Sequence, residues 1–452
     1  MTTRVILVRH GQSTYNVEHR IQGRLDESVL TEKGQSDAAR TGEVLANIQF
    51  GAMYCSPLQR ARETAEIIRS HLKTQPNLQP TELLLEVDLP LWENLQRQAV
   101  IEQFPQDYQR WQEQPDEFFM TISENGQERQ HFPVLSLFEQ AKQFWLDLLA
   151  RHKDETVLVV AHNGINRCLI ATALGIQPKF YQGIQQSNCG ISILNIADVA
   201  SGEFPPPAAV QLESMNLTQH LSSDLPSFRS NHQGPRLLLI RHGETEWNRK
   251  GQFQGQIDVP LNDNGRQQGR KAGEFLKSFQ IDAGFSSPMA RPRETAEIIL
   301  EHHPGIKLQF DDDFKEISHG LWEGKLEDEI NQSYPGLLQQ WKTTPEVVQM
   351  PEGENLQQVW ERVKVAWRKM VQSIDQQPIV AIVVAHDAVN KAALCQLFDL
   401  DPEHFWNFKQ GNGAVTVIDY PKGVEGRPVL QAMNITTHLS DSVLDQTAAG
   451  AL

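Results

Sequence analysis

Leu237-Leu238-Leu239-Ile240-Arg241-His242-Gly243-Glu244-Thr245-Glu246-Trp247-Asn248 is the stretch from which the rest of the chain can be read. Four consecutive aliphatic residues predict a strand buried on both faces. The strand delivers an arginine and a histidine at its carboxyl end and then turns on a glycine. Open α/β sheets present their chemistry at that end. Alone, Arg-His-Gly says little, because a histidine after a strand is commonly structural. It gains weight because the chain contains it twice.

The first copy is a strand over residues 5–9 with His10-Gly11-Gln12-Ser13-Thr14-Tyr15-Asn16 behind it. The repetition continues in order. Gln22-Gly23 returns as Gln254-Gly255, and Leu30-Thr31-Glu32-Lys33-Gly34 as Leu261-Asn262-Asp263-Asn264-Gly265. Ser56-Pro57-Leu58-Gln59-Arg60-Ala61-Arg62-Glu63-Thr64-Ala65 returns as Ser287-Pro288-Met289-Ala290-Arg291-Pro292-Arg293-Glu294-Thr295-Ala296. Val159-Val160-Ala161-His162 returns as Val383-Val384-Ala385-His386, and Met215-Asn216 as Met433-Asn434. Ordered blocks at so long a spacing mean a duplicated domain, not a solenoid. The expected layout is a first domain over 1–221, a polar linker over 222–235 and a second domain over 236–452, with a loose tail from 440. The segment 204–207, rich in proline, reads as a loop inside the first domain.

Each half alternates aliphatic strands with helical patterns. In the first, helices are expected from 31 or 32 to about 47, 60–71, 136–151 and from 163. Strands are expected at 52–55, 156–161, 191–195 and 210–215. Strands separated by helices predict an α/β fold with a mainly parallel sheet and helices on both faces.

Composition narrows the partners. The 452 residues are 39% hydrophobic and 22% charged, which is globular, and the formal net charge is −16. That balance argues against nucleic acid and anionic membranes as partners. An anionic ligand must be drawn by local cations. Cys55, Cys168, Cys189 and Cys395 show no paired spacing and read as buried thiols of a reducing compartment. No apolar run reaches the ~20 residues of a membrane helix. A strand at the very N-terminus leaves no room for a leader, so a cytoplasmic protein is expected. Sequence leaves open an intrachain pseudo-dimer or a homo-oligomer.

Three motif pieces in each half follow three strands, which brings them to one crevice. They gather Arg241, Arg291, His242 and His386 in the second half, and Arg9, Arg60, His10 and His162 in the first. Paired guanidiniums suit a tetrahedral oxyanion better than an apolar ligand or a metal. The inferred ligand is a phosphate, with no metal or other cofactor called for.

These motifs resemble the histidine phosphatase superfamily, in its phosphoglycerate mutase-like branch and in tandem. The resemblance covers nearly the whole chain, and the combination of Arg-His-Gly, Ser-Pro-x-x-Arg and Val-Ala-His carries it. It implies two phosphoglycerate mutase-like domains. It implies that His242 is the nucleophile, that Arg241, Arg291 and His386 clamp the phosphoryl oxygens, and that Asn248, Gln254 and Gly255 bind substrate. Glu316, in Glu316-Ile317-Ser318-His319-Gly320-Leu321-Trp322-Glu323-Gly324, is the implied proton donor. The first half implies the same roles for His10, Arg9, Arg60, His162 and Glu86, with Asn16, Gln22 and Gly23 binding substrate. Phosphoryl transfer asks mainly for fixed cations and a positioned acid, and those are the residue types present. Arginines beside His242 should keep it neutral.

The first half departs where Pro90 and Asn94 replace Gly320 and Gly324, and where Phe132-Pro133-Val134-Leu135-Ser136 replaces Pro351-Glu352-Gly353-Glu354-Asn355. The second half is therefore the expected main site. Segments 102–132 and 329–350 differ most and are the expected specificity elements. His302, His303, His319, His404, His220 and His438 read as structural or surface residues, Asp311–Asp313 as a solvated strand end, and Trp92 and Trp322 as packing. The short span from Glu316 to His386 resembles phosphatase members, and the tandem arrangement is similar to photosynthetic phosphatases of the 2-carboxy-D-arabinitol 1-phosphate type. A phosphatase of small phosphorylated metabolites, sugar phosphates or phosphoserine, is expected. A phosphoglycerate-type mutase and a phospho-ligand-binding scaffold are the alternatives.

Overall fold

The computed structural model describes every residue except 1, 125, 199–202, 222–224, 230–231, 375–377, 441 and 445–452. The chain divides into two compact units, Met1–Ser223 and Asp224–Leu452. The start of the expected linker and most of the expected tail lie outside the described residues. Part of the described linker packs against the second unit's first strand. Leu225 is buried, the Phe228 ring lies 3.9 Å from the Arg236 guanidinium, and Pro226 O accepts from Arg236 Nη1 at 2.7 Å.

The first unit's sheet runs Leu78–Pro80, Ala52–Cys55, Thr156–Ala161, Thr2–Arg9, Ile191–Ala197, Val210–Leu217. The first four are parallel, and the last two add antiparallel. The second unit repeats this order with Leu308–Phe310, Ala283–Ser286, Val380–Ala385, Arg236–Arg241, Val415–Asp419 and Val429–Ile435. Helices cover the central strands on both faces, so Leu237–Ile240 and Val5–Val8 are wholly buried. This is the expected mainly parallel α/β fold, and it explains why these strands read as unbroken aliphatic runs.

Register places the chemistry. Arg241 pairs with Ala385, and Arg9 with Ala161. His242 and His386 therefore leave neighbouring strands at one level, as do His10 and His162. The His242 amide closes the ladder on Ala385 O at 3.0 Å. Asn262 Oδ1 caps the helix Asp263–Leu276 at Gly265 N, 2.8 Å away. That capped turn lies against the loop behind His242. A Cβ on Gly243 would stand 2.4 Å from Gly265 O, and one on Gly265 would stand 2.1 Å from Glu244 O. Two glycines, face to face, let backbone cross backbone next to the nucleophile.

Two expectations change. The helix expected from 136 begins at Pro133, whose fixed φ and missing N–H suit a first helical turn. Segment 102–132 contains, besides the helix Pro105–Glu113, an antiparallel hairpin of Met120–Glu124 and Gln127–His131. Its second strand is solvent-exposed along most of its length, so no apolar alternation marks it. Its Asn-Gly pair at 125–126 was the available signal.

Candidate active site

His242 is buried, and its Nδ1 lies 2.7 Å from Gly243 O. A carbonyl only accepts, so Nδ1 carries the proton and Nε2 keeps its lone pair. Arg291 Nε donates to that Nε2 at 3.3 Å. Burial, then the Arg291 and Arg241 charges, hold the imidazole well below the ordinary histidine range. His242 is thus neutral, as expected, but burial contributes more than the arginines do.

Arg291 sits in the first turn of the helix Ala290–Leu300 and is fixed by carbonyls. Nη2 donates to Gly255 O at 2.8 Å and Nη1 to Ile257 O at 3.3 Å. Burial lowers it to about 10, so it stays cationic at neutral pH. Arg241 Nη1 donates to Gln410 O at 2.6 Å and lies 3.3 Å from Asp387 Oδ1. His386 stands at the N-cap position of the helix Asp387–Gln396 without capping it by its side chain, and its Nε2 is 2.9 Å from Ser287 Oγ. Its ring stands edge-on to that of His242, with centroids 5.2 Å apart.

Glu316 Oε1 accepts from Ile317 N at 3.0 Å and from Ala388 N at 3.2 Å, in the first turn of that same helix. Burial, followed by the Asp387 charge, raises its carboxyl above the usual range, and Arg291 and the backbone donor offset this only partly. A carboxyl that keeps its proton to higher pH is suited to act as an acid. Its own carbonyl accepts from Gln256 Nε2 at 3.1 Å and Arg362 Nη2 at 3.2 Å. Arg362 is gripped at both ends by Glu354, at 2.8 and 2.9 Å. The Gly353-Glu354 piece therefore acts through Arg362.

The structure gathers the remaining expected residues around this group. Asn248 turns its amide oxygen inward, accepting from Thr245 N at 3.1 Å in a capping box. Gly255 contributes its carbonyl to Arg291. Gln254 is buried, and neither of its amide atoms has a partner among the described residues. Asp387, Lys391, Ser287, Gln410, Asn412 and Arg362 join the expected residues around the site. Asn412 Nδ2 donates to His242 O at 3.0 Å, and Asn188 Nδ2 does the same for His10 O at 2.9 Å. The repeated Gln-x-Asn at 186–188 and 410–412 was the signal for them.

The first unit rebuilds the core. His10 Nδ1 meets Gly11 O at 2.7 Å, and its ring stands 5.2 Å from that of His162. Arg9 Nη1 donates to Gln186 O at 2.8 Å, while Arg60 Nη2 donates to Gly23 O at 3.0 Å. Gln22 Oε1 accepts from Ser13 Oγ, and Asn16 Oδ1 accepts from Ser13 N, both at 3.1 Å. Glu86 accepts from Gly164 N at 3.0 Å and Ile165 N at 3.2 Å. Burial and nearby arginines push His10 and His162 well down too.

Its surroundings differ as the glycine losses foretold. Gly320 has φ +53° and lies so close to Pro351 O that a Cβ would stand 2.1 Å away. Proline cannot adopt that φ. At Pro90 the chain takes another turn, and the hairpin's His131 Nε2 bonds Asp88 O at 3.1 Å. Asn94 keeps the left-handed φ, +65°, of Gly324. His162 lacks the serine partner, and neither of its nitrogens has another among the described residues.

The family model of the histidine phosphatase superfamily (branch 1) matches residues 5–201 and 237–436. The 2-carboxy-D-arabinitol-1-phosphatase of Triticum aestivum is 31% identical over 446 residues, 96% of this chain and 86% of that protein. Phosphoserine phosphatase 1 of Hydrogenobacter thermophilus is 34% identical over 206 residues, 46% of this chain and 95% of that protein. Among solved structures, Bacillus stearothermophilus YhfR is 29% identical, with 46% of this chain and 100% of that one covered at a TM-score of 0.43. Among the described residues, no helix is long and apolar enough to cross a membrane. With two family matches spanning both sites, the chain belongs to the histidine phosphatase superfamily, branch 1, and is a tandem phosphatase.

Proposed function

We propose that the protein hydrolyses small phosphorylated metabolites, without a metal, through a phosphohistidine on Nε2 of His242. The carrying observation is that Gly243 O fixes the Nδ1 proton, so the free lone pair of Nε2 points to Arg291. In the first step Nε2 bonds to phosphorus, the phosphorus–oxygen ester bond breaks, and the leaving alkoxide takes the Glu316 proton. Arg241, Arg291 and His386 stabilise the equatorial oxygens, which carry most of the developing charge. In the second step a water gives its proton to the Glu316 carboxylate, bonds to phosphorus and displaces His242. Asn248, Gln254 and Gly255 frame the substrate, and segments 329–350 and 102–132 select it. We assign the same steps, at a second centre, to His10, Glu86, Arg9, Arg60 and His162, framed by Asn16, Gln22 and Gly23.

The relatives' names favour a sugar phosphate such as 2-carboxy-D-arabinitol 1-phosphate, or phosphoserine, as substrate. We place the enzyme in the cytoplasm, whose redox state suits four buried free thiols. The test is phosphate release from those compounds and 3-phosphoglycerate, in chelator, by wild type, His242→Ala, His10→Ala and the double variant. Release that survives loss of both histidines overturns the mechanism. Isomerised 3-phosphoglycerate without free phosphate means a mutase, and binding without turnover means a scaffold.

A further inference from the structure

The two sites share one plan and differ in charge. In the second, Asp387 stands between two cations, 3.3 Å from Arg241 Nη1 and 2.6 Å from Lys391 Nζ, and all three are buried. The matched positions in the first are Asn163, Arg9 and Arg167. Asn163 is neutral, so both guanidiniums stand without that carboxylate. Glu86 is the carboxylate that bears on Arg9, and Arg167 and Arg60 act against it. Among the described residues, Arg9 Nε and Arg167 Nε are buried donors with no partner. Arg167 Nη1 donates to the neutral Gln182 Oε1 at 3.1 Å, and its guanidinium also meets the Tyr181 side chain, by a hydrogen bond and over its ring.

The other flank is rebuilt. Arg362, which holds the backbone of Glu316, is paired with Glu354. In the first unit Arg24 takes over this support from a different element. Its Nε donates to Glu86 O at 3.1 Å and its Nη2 to Gln140 Oε1 at 3.0 Å, while Glu93 is the carboxylate beside it, accepting from its backbone N–H.

With the two acids in the same form, Asp387 makes the cluster of Arg241, Arg291 and Lys391 one charge less positive than that of Arg9, Arg60 and Arg167, because Asn163 brings none. The other carboxylates are matched, with Glu86, Asp26 and Glu93 acting on Arg60 as Glu316, Asp258 and Glu323 act on Arg291. Buried positive charge favours an anionic partner, so the first site has room for one negative charge more than the second. We infer that the first site selects phosphomonoesters bearing a further anionic group, a carboxylate close to the phosphate, whereas the second is matched to the phosphate dianion alone. This rests on reading both sites as phosphate sites, and it gives the two units different substrates.

3-Phosphoglycerate and glycerol 3-phosphate differ only in a carboxylate against a hydroxymethyl group. Calorimetric titration of each into protein with the second site disabled (His242→Ala with Arg291→Ala) reads the first site whether or not it turns over. The converse protein (His10→Ala with Arg60→Ala) reads the second. The first site is expected to favour 3-phosphoglycerate by at least about tenfold, and the second by less than about threefold. Asn163→Asp should bring the first-site ratio down to the second-site value, and Asn163→Gln should leave it. If Asn163→Asp does not fold, Arg167→Gln, which buries no new acid, should lower the ratio likewise. Equal ratios at the two sites, an unchanged ratio in folded Asn163→Asp or Arg167→Gln, or no binding of either probe at the first site overturns the inference. Failure of the wild type to release phosphate from any substrate would instead sink the phosphatase reading and leave the ratio standing.

Discussion

Glu316→Gln, made with His10→Ala so that only the second site reports, tests the assigned acid directly. Glutamine has the size of glutamate and keeps an oxygen for the Ile317 and Ala388 amides, at 3.0 and 3.2 Å. Fold and ground-state binding should survive, so KM should change little. What disappears is the proton. General acids of this kind contribute about 10²–10⁴ in rate, which at 1.36 kcal/mol per decade is about 3–5 kcal/mol of barrier. The loss must depend on the leaving group. An alkoxide leaving from phosphoserine needs the proton and should show the full loss. Nitrophenolate leaves readily unprotonated, so nitrophenyl phosphate should lose less than about tenfold in the first step. Water activation also needs Glu316, so the variant should release about one equivalent of nitrophenolate in a burst and then stall with the histidine phosphorylated. The pH profile adds a check. The acid form is the active one, and burial with Asp387 raises its carboxyl, so wild-type activity should fall as pH rises through that raised value. The variant should lack this limb. Equal losses for both substrates, with no burst, would refute the assignment.

Two further outcomes concern stability. His10, His162, His242 and His386 have folded values well below the ordinary one, and burial lowers His220 and His438 to about 4. The folded state therefore resists protons that the unfolded chain accepts. Stability is complete above the unfolded pKa of ~6.5 and falls below it by about 1.4 kcal/mol per pH unit for each such histidine, until its folded value is reached. Raised Glu316 runs the other way, losing stability as pH rises past the ordinary glutamate value. Thermal unfolding at stepped pH should show a steep acid-side decline that His220→Gln makes shallower, and an unchanged slope would refute it. His319 is buried against Phe253 and Trp341, and neither of its nitrogens has a partner among the described residues. The first unit has Leu89 at that place. His319→Leu should be neutral or stabilising by about 1 kcal/mol and keep phosphatase activity within about threefold. A larger loss of activity would give His319 a role in the chemistry.

What could be read in the sequence follows from which forces leave a local trace. A strand buried on both faces must be aliphatic throughout, so 237–240 and 380–385 were plain. Two backbones that cross need glycine at both places, so Gly243 and Gly265 recur with their partners Gly11 and Gly34. The Gln127–His131 strand packs one residue and exposes the rest, and exposed strands leave no alternation to find.

Charge balance is harder to read, because it belongs to a place in space and not to a position in the chain. Asp387 and Lys391 are visible as an i,i+4 pair on a helix, and such pairs are usually surface decoration. Only the neighbouring strand end, with Arg241, makes the pair part of the site. The support of the acid shows this more sharply. In one unit the arginine comes from the long helix, at Arg362, and the glutamine from the loop, at Gln256. In the other the arginine is in the loop, at Arg24, and the glutamine is in the helix, at Gln140. Position by position, each looks like loss of a functional group. Together they keep a guanidinium on the carbonyl of the acid, with Glu93 beside Arg24 where Glu354 grips Arg362. Drift at single positions therefore does not measure loss of the arrangement, because the support is rebuilt from other elements. The one charge that is not rebuilt is that of Asp387, at Asn163, and the paired titrations decide whether a substrate answers it.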